Sequence, residues 1–315
     1  MNDTTEPNWE RKTIEKLAYS ALNEQRRARR WGIFFKILTF LYLIFVLFAA
    51  MGWLRHGAGV TSAQHTAVID IRGVIADSAE ASADRIIEGL RAAFKDSKTQ
   101  GVVLRINSPG GSPVQAGQIN DEIKRLRAKF PKIPLYAVVD DVCASGGYYI
   151  AVAADKIFVD KASLIGSIGV LMDGFGFTGT MEKLGVERRL ITAGANKGML
   201  DPFSPLDPKH AEYARRMIGQ IHQQFVKVVR DGRGQRLKET PEMFTGLIWS
   251  GEEGIKLGLA DGLGSLDYVA REVIKAEEVV DYSAHESLPE RLAKRLGIGA
   301  ASAFLNSGST APQLK

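Results

Sequence analysis

One cysteine, five histidines and a net charge of only +5 are the scarcities that first constrain this chain of 315 residues. The lone Cys143 cannot close a disulfide within the chain, so cysteine usage neither supports nor excludes an oxidising compartment. Set in an apolar stretch, it reads as a buried strand residue and not as a thiol nucleophile. The small charge excess supports no nucleic-acid role, and part of it is the cluster Arg26, Arg27, Arg29 and Arg30. Few histidines leave few imidazole bases. His56 and His65 lie near an apolar run, His285 lies in a polar C-terminal stretch, and His210 and His222 fall in a long helical run as solvated or packed side chains.

The longest uncharged apolar run is residues 37–54, ILTFLYLIFVLFAAMGWL, flanked by Lys36 and Arg55. Its length suits a bilayer-spanning helix, and only Thr39 and Tyr42 carry polar groups within it. A cleaved signal peptide has a shorter apolar region nearer the start, so an uncleaved signal anchor is predicted. The arginines before the span keep the N-terminus in the cytoplasm, against anionic headgroups, and place the rest outside. The resulting organisation is a cytoplasmic segment at 1–36, the span at 37–54, a linker at 55–65, one domain at 66–285 and a tail at 286–315. The tail reads as partly flexible from its Ala, Ser and Gly content. About 260 residues after the span suffice for a single sizeable core, and no linker divides them.

Within that domain, apolar strand-like runs at 67–71, 102–106, 135–139, 156–159 and 186–191 alternate with helical stretches at 81–94, 114–129, 145–154, 208–230, 251–257 and 266–276. That alternation predicts an α/β fold. The run 174–179, GFGFTG, matches a dinucleotide-binding pattern, but its helical stretch is short and no ribose-binding carboxylate follows at the expected distance. Neither a cofactor nor a metal is called for.

Two corners carry chemistry. In DVCASGGYYIAVAA, Ser145 stands between a short apolar strand and a small-residue helix, with Gly146 and Gly147 behind it. A serine there is either a helix N-cap or a nucleophile beside unpaired backbone N–H groups that can hold an oxyanion. The second corner, NSPGGS at 107–112, joins a strand to a helix and exposes further N–H groups at Gly110 and Gly111; as a bare pattern it is also an ordinary tight turn. A serine nucleophile needs a base. Besides the histidines there is Lys197, in ITAGANKGMLDPF, among small residues with few carboxylates nearby. Desolvation there would lower its pKa toward the range of a proton acceptor, although by itself it reads as a surface lysine.

The combination of NSPGGS, DVCASGGYYIAVAADKIFVDKASLIGSIGV and AGANKGMLDPF closely resembles the signal peptide peptidase A, or protease IV, family of bacterial membrane serine peptidases, over residues 66–280. The resemblance implies a Clp protease/crotonase-like core of repeated β-β-α units, with Ser145 as nucleophile and Lys197 as general base. It also implies that Ser167, in GSIGV, orients the lysine and that backbone near Gly110, Gly111 and Gly146 supplies the oxyanion donors. One departure is visible: the residue before the family's lysine is commonly aromatic, and here it is Asn196. A Clp-type triad would need a histidine and an aspartate, and nothing around His210 recommends it. A crotonase would lack the serine nucleophile and a membrane span. The family implies endopeptidase action on remnant signal peptides at the bacterial inner membrane. It also implies a homo-oligomer, with an octamer as the suggested size, whose serine and lysine come from neighbouring copies. The rival reading is an inactive membrane scaffold or peptide-binding protein of the same fold, which would have no reason to keep both Ser145 and Lys197.

Overall fold

The computed structural model describes residues 9–55 and 63–284, with side chains described over 14–47 except Ala21, and over 63–284. The predicted tail, most of the predicted linker, His56 and His285 lie outside these residues. The chain forms two compact units that divide at Gly59.

The first unit is a single helix, α1 (Trp9–Arg55), of 47 residues, about 70 Å long at ~1.5 Å per residue. It runs unbroken through the predicted boundary at 36/37. The stretch before that boundary is rich in Ala, Leu, Glu, Lys and Arg, good helix formers that carry the helix backwards from the apolar run. Among the described residues this is the one helix long and apolar enough to cross a membrane; its qualifying stretch is Ile14–Leu47, within which an 18-residue window has a mean hydropathy of 1.8.

In the second unit the elements follow the predicted alternation: β1 (His65–Arg72), α2 (Ala83–Lys95), β2 (Thr99–Ser108), α3 (Pro113–Lys129), β3 (Leu135–Ala144), α4 (Gly146–Ala151) and β4 (Lys156–Val159). Then come β5 (Leu164–Gly166), α5 (Thr178–Lys183), α6 (Pro208–Arg233), β6 (Ile248–Ser250), α7 (Gly251–Lys256), β7 (Gly262–Leu263), α8 (Leu266–Tyr268) and β8 (Val279–Asp281). Cap chemistry sets the helix starts. Ser112 accepts from the Gln115 N–H with Pro113 in the first turn of α3, and Asp207 accepts from the Lys209 N–H with Pro208 in the first turn of α6.

Parallel pairing joins β8, β1, β2 and β3. The sheet then forks along β3: residues 136–138 pair with β4, and residues 142–144 pair with β5. β7 extends the first branch in parallel, and β6 extends the second antiparallel. One face is buried under the helices, where Ile71, Leu104, Ile106 and Val139 meet Leu90, Ile119, Ile123 and Phe225. On the other, Val103, Val138, Phe158 and Val269 form a smaller cluster. Strands covered on both faces read as continuous apolar runs, which is why β1, β2 and β3 were legible.

The predicted strand at 186–191 is not one. Those residues form no helix or strand, and Ile191 is 96% exposed. An apolar run becomes a strand only where a ladder partner receives it, and among the described residues none does.

A buried ion pair ties the end of α6 to the sheet. Arg233, 1% exposed, donates to both Asp261 carboxylate oxygens at 2.8 and 3.0 Å and to the Gly258 carbonyl at 2.8 Å. Burial alone would raise the Asp261 pKa, but hydrogen bonds from Arg233 and the Ile157 N–H hold it below the usual carboxylate range. Arg233→Met leaves that carboxylate buried without its main partner. An expected loss of about 3 kcal/mol is checked by the shift of the urea-unfolding midpoint of the whole protein.

Candidate active site

The carboxyl ends of β2, β3 and β5 converge, and the two glycine-rich corners meet there, as expected of a ligand crevice in an open parallel sheet. Ala144 and Gly166 are the last paired residues of β3 and β5. One residue further on stand Ser145 and Ser167, and both have left-handed backbones, at φ 51° and φ 49°. Such a conformation costs a non-glycine residue on the order of 1–3 kcal/mol and persists only where the surroundings enforce it. Here they do. The Ser145 N–H donates to the Gly166 carbonyl at 2.8 Å, and the Ser167 N–H donates to the Leu247 carbonyl at 2.7 Å. Ser145 has the backbone of a sharp strand-to-helix turn that lifts a side chain out of the sheet. Its side chain makes no cap hydrogen bond to α4, so the N-cap alternative does not describe its hydroxyl.

The NSPGGS corner packs directly behind it. A Cβ on Gly110, where φ is 101°, would lie 2.7 Å from the Gly146 nitrogen and 2.7 Å from Ser145 Cβ. The Gly110 N–H is already bonded to Ser108 Oγ at 3.1 Å, and Ser108 donates onward to the Gly73 carbonyl at 2.7 Å. Gly111 bridges to Ile75 through its neighbours: the Ile75 N–H donates to the Gly110 carbonyl, and the Ser112 N–H donates to the Ile75 carbonyl. The Gly111 N–H takes no part in that bridge, and its nitrogen lies 3.3 Å from where a Gly146 Cβ would stand. The N–H groups of Gly111 and Gly146 therefore sit side by side next to Ser145.

Ser145, Ser167, Gly111 and Gly146 line a groove of about 540 Å³ together with Ala116, Tyr149, Val170, Leu171, Ile221, Gln224 and Phe225. None of its lining residues is charged, in a chain that is 24% Asp, Glu, Lys and Arg. The groove therefore suits an apolar, uncharged ligand. Its wall from α6 was not anticipated, although Ile221 and Phe225, four apart, signal one apolar helix face.

The remaining candidates stand elsewhere. Lys197 is exposed in a turn and does not line the groove. The residue before it, Asn196, bonds through Oδ1 to His210 Nε2 at 3.1 Å, so the position that is commonly aromatic instead ties this turn to α6. His210 lines a separate cavity and not the serine groove. His222 is half-buried with Nε2 3.2 Å from the Ile168 carbonyl. Cys143 is fully buried, and burial pushes its thiol pKa far up, so it offers no thiolate. The GFGFTG run leads into the six-residue α5, sharing Thr178 and Gly179 with it, and follows no strand directly.

A strained, half-buried serine over an uncharged groove, with backbone donors beside it on a forked and mainly parallel sheet, defines a Clp protease-like serine peptidase architecture. The comparisons agree on the particular lineage. The model of peptidase family S49 matches residues 127–280. A Synechocystis protein that carries a protease name is 31% identical over 197 residues, which cover 62% of this chain and 69% of that one. The chain belongs to peptidase family S49. Protease 4 of Haemophilus influenzae is 31% identical over 219 residues, 68% of this chain and 35% of that protein. A Brucella melitensis protein named Na+/H+ antiporter NhaA is 44% identical over 177 residues, but the match spans 56% of this chain and only 24% of that protein.

Proposed function

We propose that the chain is a membrane-anchored serine endopeptidase whose nucleophile is Ser145 and whose general base is Lys197 of a neighbouring copy in a homo-oligomer. The observation that carries this reading is the left-handed backbone of Ser145 beside the backbone nitrogens of Gly111 and Gly146. Neutral Lys197 Nζ takes the Ser145 hydroxyl proton as Oγ attacks the scissile carbonyl, and the two N–H groups hold the oxyanion. The lysine returns the proton to the leaving amine. Water then enters and gives up a proton to Lys197 Nζ as it attacks the acyl carbon, and the lysine returns that proton to Ser145 Oγ as the carboxylic acid product leaves. Ser167, beside Ser145 in the groove, orients the incoming amine. No cofactor or metal takes part.

The arm between β5 and α6 supports a lysine supplied by a second copy. It carries Lys197, and its Leu171, Phe175, Leu184 and Ile191 are 79%, 80%, 72% and 96% exposed. An apolar surface of that extent needs a partner, and a neighbour that covers the arm would bring the lysine to a serine not its own. An octamer is the ring size the family suggests. The apolar, uncharged groove favours extended peptides from membrane-spanning segments, of which remnant signal peptides are the expected class. α1 serves as anchor in the bacterial inner membrane, with Arg26, Arg27, Arg29 and Arg30 on the cytoplasmic side beside Trp31 and the catalytic unit outside.

The test is labelling of the detergent-solubilised oligomer by a fluorophosphonate probe. Wild type is expected to label, and Ser145→Ala and Lys197→Ala are not. Undiminished labelling of Lys197→Ala would remove the lysine from the mechanism, and an unlabelled wild-type oligomer would leave the scaffold reading in its place.

A further inference from the structure

Ser167 can orient a proton acceptor only if the loop that carries it holds a conformation it would otherwise relax from. That loop, residues 166–169, has left-handed backbones at Gly166 and Ser167, φ 101° and 49°. Two of its restraints come from the sheet side: the Ser145 N–H on the Gly166 carbonyl and the Leu247 carbonyl on the Ser167 N–H. The third comes from outside the sheet. His222, on α6, approaches the Ile168 carbonyl through Nε2 at 3.2 Å. Among the described residues no backbone N–H reaches that carbonyl, and Ile168 is 0% exposed. A buried carbonyl needs a donor, so Nε2 carries the proton and donates it. Ile221 and Phe225, on either side of His222 along α6, line the groove with Ser145. The same helix therefore forms one wall of the groove and braces the loop on the other side of the serine.

We infer that His222 is a positioning residue for the serine site: its Nε2–H pins the Ile168 carbonyl and thereby fixes Ser167 and the adjoining groove wall at Gly169 and Val170. This rests on the reading of Ser145 as nucleophile. It gives the half-buried imidazole on α6 a role that is not proton transfer with Ser145, because its Nε2 is already engaged with the Ile168 carbonyl.

The experiment compares the rate and the endpoint of fluorophosphonate labelling for the full-length detergent-solubilised oligomer and three variants. His222→Gln keeps an N–H at the reach of Nε2, whereas His222→Leu keeps volume without a donor and His222→Asn carries a donor too short to reach. Wild type and His222→Gln are expected to label at rates within about twofold, while His222→Leu and His222→Asn reach the same endpoint on the order of tenfold more slowly, as a displaced reacting group requires. A merely structural histidine would lower the endpoint, as inactive protein, and not the rate per site. Wild-type rates in His222→Leu or His222→Asn, or a His222→Gln variant as slow as they are, would overturn the assignment. Should His222→Leu fail to fold, the Gln and Asn pair decides alone. Failure of wild type to label at all would instead sink the serine reading on which the assignment stands.

Discussion

Ser145→Ala is expected to slow peptide hydrolysis by at least on the order of 10⁴-fold, since a covalent mechanism loses its whole first step with the nucleophile. The variant keeps its fold. Ser145 is half-buried and its side chain makes no cap hydrogen bond, so removing the hydroxyl leaves no buried group unpaired. Alanine at a left-handed position is no easier than serine, so the strain stays about the same. An intact oligomer with an unchanged melting temperature and no turnover of an apolar reporter peptide is the expected pair of results. Residual hydrolysis within tenfold of wild type would show that another group attacks.

The second large effect comes from a residue that touches no proton in the reaction. Gly110→Ala places a Cβ 2.7 Å from the Gly146 nitrogen, 2.7 Å from Ser145 Cβ and 2.9 Å from the Ala144 carbonyl, at a φ of 101° that L side chains rarely adopt. Two of these three neighbours are backbone and cannot rotate away. The corner must move, carrying Ser145 and the donor of Gly146 with it, and a misplacement of about 1 Å at a reacting centre costs on the order of 10²-fold. Activity is expected to fall by at least that factor, with a lower melting temperature. Gly117→Ala is the internal control. It lies on α3 with nothing within 4 Å of its would-be Cβ, and exchanging a helical glycine for alanine stabilises by roughly 1 kcal/mol. Equal damage from both substitutions would mean that the Gly110 contact is not what holds the serine.

Much of this architecture was legible because burial on both faces writes β1 to β4 as apolar runs and because Ser112 and Asp207, each followed by proline, mark their helix starts. The Ser145 corner was legible as a strand-to-helix turn, because an apolar strand ends in Ala-Ser-Gly-Gly before a small-residue helix; the role of its serine came only from the family resemblance. What escaped has physical causes. β5 and β6 are three residues each, too short for a period to show, yet β5 positions Ser167. Residues 186–191 set Val186, Leu190 and Ile191 around three charged residues and have no ladder partner, and composition cannot report a missing neighbour. The start of α1 was hidden because charged helix formers continue a helix without continuing its hydropathy. On the proposed reading the place of Lys197 relative to Ser145 is a property of how copies meet, which no pattern within one chain encodes.

The central claim, that one active site is shared between copies, is tested most directly by mixing. Ser145→Ala and Lys197→Ala are each expected to be inactive alone. Co-expressed in equal amounts and assembled at random into one head-to-tail oligomer, they would place an intact Ser145 against a neighbour's intact Lys197 at about one site in four. The measurement is the hydrolytic rate of that mixed oligomer per protomer. Recovery of about a quarter of the wild-type rate is the expected result. A mixture as inactive as either variant would contradict the account, because serine and lysine would then have to come from the same copy.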